Sequence, residues 1–124
     1  MSQLPKFFRV LAILVSALML CVGSASAHSG LKRAEPAANS SLKRAPAEIK
    51  LQFTEQLEPA YSSVTVEDKD GERVDNDDAR VDPANASLLR VSLKQLAPGT
   101  YTVIWRVLSV DTHVTEGRYT FKVE

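Results

Sequence analysis

The sequence predicts an all-β fold, an immunoglobulin-like Greek-key β-sandwich or barrel of about seven strands, and three observations carry that prediction. Apolar residues recur at every second position in short runs, as in strands with one buried face. Proline, glycine and Asp/Asn clusters punctuate those runs, and no stretch reads as a helix. Several short strands with turn signals in about 100 residues is the pattern of a sandwich.

The first 27 residues stand apart from this pattern. Lys6 and Arg9 form a basic start, Val10 to Val22 an apolar run, and Ala25-Ser26-Ala27 a small-residue cleavage site, which together describe a secretory signal peptide. The apolar run is too short for a membrane anchor, which needs about 20 residues. Cys21 follows Leu18-Met19-Leu20, and the leucine beside it is a poor match to a lipid-attachment site. Removing 27 of 124 residues leaves 97, one small domain spanning 28–124. The removed segment holds the one Cys and both Met, so sulfur ligands and disulfides are excluded from the mature chain. It keeps 13 Lys and Arg against 15 Asp and Glu, a balance that does not call for nucleic acid.

Along the domain, Leu31 to Glu35 is a strand candidate stopped by Pro36, followed by a loop through Ser41. Ile49, Leu51 and Phe53 alternate with Lys50 and Gln52 in a strand that ends at Thr54-Glu55. Tyr61 to Glu67 carries Val64 and Val66 on one face, and Asp68-Lys69-Asp70-Gly71 reads as an antiparallel turn. Eight acids crowd residues 67 to 82 without the glycine and glutamate spacing of a calcium loop, so this stretch reads as a solvated hairpin and loop. Leu89, Val91 and Leu93 mark the next strand. Thr100 to Val107 is the strongest, with Tyr101, Val103, Trp105 and Val107 on one face and Ile104 on the other, as expected of a central strand. Leu96-Ala97-Pro98-Gly99-Thr100-Tyr101 has the form of a tyrosine corner, which assigns Tyr101 and Trp105 to corner and core. Tyr119, Phe121 and Val123 close the domain.

The candidate chemistry lies in Ser109-Val110-Asp111-Thr112-His113. In extended backbone, Asp111 and His113 would share a face. The chain has only two histidines, and the other, His28, directly follows the predicted cleavage site. Cleavage there would free an α-amine beside an imidazole, so that His28 could chelate one metal through both. His113 adds a third nitrogen and Asp111 an oxygen, a nitrogen-rich set that suits Cu(II), the highest of the common divalent ions in the Irving–Williams order. The alternative is that His28 is a disordered first residue and His113 an ordinary strand-end histidine.

These pieces together resemble the CopC-like periplasmic copper-binding proteins of bacterial copper resistance. The resemblance rests on His28, Ala34-Glu35-Pro36-Ala37, Leu51-Gln52-Phe53-Thr54-Glu55, Pro98-Gly99-Thr100-Tyr101-Thr102-Val103-Ile104-Trp105, Ser109-Val110-Asp111-Thr112-His113, and Gly117-Arg118-Tyr119-Thr120-Phe121-Lys122-Val123. It implies one Cu(II) held by the amine and ring of His28, by His113 and by Asp111. Glu55 would be a weak ligand or a hydrogen-bond partner of the amine. It implies a carrier or buffer rather than an enzyme, in the periplasm, with a CopD-type inner-membrane protein as a possible recipient of copper. Some members add a methionine-built Cu(I) site, for which the mature chain has no methionine. The rival function is a histidine-brace copper monooxygenase, which needs an open coordination position and a flat substrate face.

Overall fold

The computed structural model describes residues 30–124. The predicted signal segment, its cleavage point and His28 lie outside the described residues. Eight strands build two sheets: β1 (Leu31–Glu35), β2 (Ser41–Leu42), β3 (Glu48–Phe53), β4 (Ser63–Glu67), β5 (Arg80–Asp82), β6 (Asn85–Ser92), β7 (Gly99–Leu108) and β8 (Val114–Val123). One sheet has the order β1-β3-β6-β5 and the other β2-β8-β7-β4. Every pairing is antiparallel except that of β2 with β8. The sheets are not closed on each other, so of the two expected forms the sandwich is the one adopted.

Period-two patterning explains the packing. β3 buries Ile49, Leu51 and Phe53 and leaves Glu48, Lys50 and Gln52 half-buried on the outer face. β7 buries Tyr101, Val103, Trp105 and Val107. Leu89 and Val91 of β6, beside β3, and Tyr119, Phe121 and Val123 of β8, beside β7, join them in one core between the sheets. Tyr101 stacks on Phe121 with ring centroids 5.5 Å apart, and Trp105 tilts against Tyr119 at 6.0 Å. The Tyr101 hydroxyl donates to the Ala97 carbonyl at 2.5 Å, closing the predicted corner. β7 is flanked by β4 and β8, the central position that Ile104 on its outer face implied.

Three expectations are corrected. The two shortest strands, β2 and β5, lie in segments read as loop, and Tyr61 belongs to a 3-10 turn, Pro59–Tyr61, ahead of β4. The acid-rich stretch is not uniformly solvated: the Asp75 side chain is fully buried. It accepts the Val66 N–H at 2.9 Å, the Arg73 guanidinium at 2.7 and 2.5 Å, and the Asp77 N–H at 3.1 Å. Burial alone would raise its pKa. Arg73 and the two backbone donors outweigh that and hold the carboxyl below its usual range. The third correction concerns the Asp111–His113 segment, which is not extended.

Candidate metal centre

The segment 109–113 is the loop joining β7 to β8, turned back on itself. The Ser109 N–H donates to the His113 carbonyl and the Thr112 N–H to the Ser109 carbonyl, both at 2.9 Å, and Thr112 takes the left-handed conformation with φ 73. Asp111 and His113 are therefore neighbours because a tight loop folds them together, not because alternate residues of a strand share a face. The result is the same juxtaposition: His113 Nδ1 lies 3.3 Å from Asp111 Oδ2.

Glu55 arrives from the other sheet. Beyond β3 the chain crosses toward β7, and three backbone links hold it there. Leu57 bridges Ser109, the Val110 N–H donates to the Gln56 carbonyl at 2.9 Å, and the Glu58 N–H donates to the Leu108 carbonyl at 2.8 Å. That path sets Glu55 Oε2 3.8 Å from His113 Nδ1. Glu55, Asp111 and His113 each present one ligand-type atom, all within 4.8 Å of one another. All three are exposed, so an ion could arrive from solvent without rearrangement of the core.

Gly30 completes the neighbourhood. Its carbonyl accepts the Thr54 N–H at 2.9 Å, one residue before Glu55. Its φ is +87, and a Cβ there would stand 3.1 Å from Thr115 Oγ1, so both backbone and space ask for glycine. Gly30, Glu55, Ser109, His113 and Thr115 line one cleft of about 350 Å³. Val114, 52% exposed, also lines the cleft beside His113.

Electrostatically, Asp111 is the perturbed member. The Ser109 hydroxyl donates to its carboxylate and His113 adds attraction, and these lower its pKa from the ordinary carboxylate value. One imidazole and two carboxylates form a mixed nitrogen–oxygen donor set that fits a borderline divalent cation. Of the four residues singled out in the sequence, the structure brings Glu55, Asp111 and His113 together, while His28 lies outside the described residues. Sequence reasoning gave no role to Ser109, although a loop serine commonly bonds nearby backbone groups, as Ser109 does with the His113 N–H.

Fold and cluster together define a small two-sheet sandwich with an imidazole–carboxylate group at the end where β7 turns into β8. The chain belongs to the CopC family, whose domain model matches residues 31–124. It is 39% identical over 115 residues to Protein YobA of Escherichia coli K12, covering 92% of this chain and 91% of that protein. Over 121 residues it is 35% identical to copper resistance protein C of Escherichia coli, covering 91% of this chain and 95% of that one. The copper transport protein CutJ of Bacillus subtilis is 30% identical over 112 residues, 90% of this chain but 21% of that longer protein. Among solved structures, CopC from Methylosinus trichosporium OB3b superposes with a TM-score of 0.72 at 38% identity, covering 78% of this chain and 94% of that one.

Proposed function

We propose that the chain is a periplasmic Cu(II)-binding protein, exported by its cleaved signal peptide, that carries or buffers one copper ion for resistance or homeostasis and performs no catalysis. The observation that carries this reading is the Glu55–Asp111–His113 group at the mouth of a cleft that Gly30 also lines. Two residues span at most about 7 Å. That length of chain permits the amine and ring of His28 to serve as the remaining ligands in this proposal. With them the donor set becomes three nitrogens and a carboxylate oxygen, the environment that suits Cu(II). Glu55 serves as a weak ligand or as acceptor for the amine.

Relatives named for copper resistance and copper transport support the metal assignment. The non-catalytic reading gains support from the aromatic residues. Phe53, Tyr101, Trp105, Tyr119 and Phe121 are all buried, and among the described residues Tyr61 is the one aromatic left exposed for a substrate face. A CopD-type membrane protein is the proposed recipient of the ion.

The test is titration of the mature protein with Cu(II), followed by electron paramagnetic resonance. One equivalent with three-nitrogen hyperfine structure is expected, lost in His113→Ala. Absence of binding, or a signal that His113→Ala leaves unchanged, would sink the proposal.

A further inference from the structure

We propose that Ser109 is the positioning residue of the cluster and that it makes Asp111 a one-oxygen ligand. This rests on the copper reading above, in which Asp111 and His113 hold the ion.

Ser109 is 5% exposed, so its hydroxyl is largely withdrawn from bulk water. The hydroxyl donates to Asp111 Oδ1 and accepts the His113 N–H at 3.1 Å. The His113 carbonyl lies 3.2 Å from the same oxygen, but a hydroxyl has one proton, and a charged carboxylate is the stronger acceptor. One side chain thus orients the carboxylate of one ligand and fixes the backbone of the next. Ser109 is itself held by its bridge to Leu57, on the segment that brings Glu55 across from the other sheet.

The consequence is asymmetry at Asp111. Oδ1 is engaged by Ser109, and Oδ2 is the oxygen that faces His113 Nδ1 at 3.3 Å. A carboxylate held in this way offers one oxygen to a metal beside an imidazole. That suits an ion of low coordination number with nitrogen ligands. It disfavours calcium, which takes 6–8 oxygens and often grips carboxylates by both. Ser109 therefore acts on selectivity as well as affinity, without touching the ion.

The experiment compares mature wild type, Ser109→Ala and Ser109→Thr by Cu(II) affinity in competition with a chromophoric chelator, by electron paramagnetic resonance, and by the thermal midpoint without metal. Ser109→Ala should bind copper about 10–100-fold more weakly, the usual scale for residues that orient ligands, with altered copper hyperfine structure. Ser109→Thr, which keeps the hydroxyl, should recover most of both. Unchanged affinity and spectrum in Ser109→Ala would overturn the positioning role whatever happens to the midpoint. The copper-loaded wild-type crystal structure gives an independent reading that needs no variant. Asp111 should bind through one oxygen with the other still on Ser109, and a two-oxygen Asp111 would overturn the inference. If the wild type takes up no Cu(II) at all, the copper reading itself falls and takes this inference with it.

Discussion

Asp75 and Asp111 are the same side chain put to opposite uses. Asp75, beside the far end of β4 from the Glu55–Asp111–His113 group, is buried, and both its oxygens are spoken for by Arg73 and two backbone N–H groups. Asp111, in the β7–β8 loop, is half exposed, with one oxygen on Ser109 and the other facing an imidazole and open to solvent. Both carboxyls are held below the ordinary value, so a perturbed pKa alone does not separate them. What separates them is spare acceptor capacity. A carboxylate saturated by its own protein fixes the fold, and one left partly unsaturated at the surface can serve a ligand.

The sharpest way to break that contrast is at the metal. Asp111→Ala, or one extra residue left before His28, should weaken Cu(II) binding by orders of magnitude while leaving the thermal midpoint close to wild type. Isothermal titration and calorimetry on the same samples check both halves. A large loss of stability in Asp111→Ala would put that residue in the same class as Asp75.

The converse variant, Asp75→Ala, should keep copper affinity and lower stability by about 1–3 kcal/mol, because it strands the Val66 N–H inside the protein. Chemical denaturation measures it. Copper affinity falling in parallel would show that the two regions are coupled.

Acid gives a third comparison. The lowered Asp75 pKa stabilises the fold above the unfolded carboxylate value, near ~3.9, and that contribution disappears as pH drops through the folded value. Wild type should therefore lose stability below about pH 4 more steeply than Asp75→Asn. Copper affinity should fall at a much higher pH, declining from pH 8 to pH 5. An α-amine ordinarily titrates near ~7.7–8.0 and an imidazole near ~6.5, and both must shed protons to bind. A flat copper profile would remove the amine from the site. The smallest effect is expected at Glu55→Gln, a loss of about tenfold or less in copper affinity.

The strands were legible where alternation runs long enough to be seen. β3, β6, β7 and β8 each repeat a buried residue at every second position. β2 and β5 have two and three residues, too few to show a period, and each forms at a sheet edge because its neighbour is already in place. At the site, the residue types of Asp111 and His113 pointed to metal chemistry, but their geometry was misread. The reversal at Thr112 uses a positive φ without glycine or asparagine, the residues that normally announce one. The burial of Asp75 was hidden among seven other acids, because an Arg two residues away reads as surface pairing until the fold closes over it. Glu55 entered through resemblance alone, since the backbone links that carry it to the loop join distant segments.

β8 begins beside His113 and runs ten residues to Val123. At about 3.3 Å per residue its two ends lie roughly 30 Å apart. Any tag or surface tether joined after Glu124 would therefore hold the molecule by the end remote from the cleft. Immobilising the domain from that side leaves His113 facing outward, accessible to solvent.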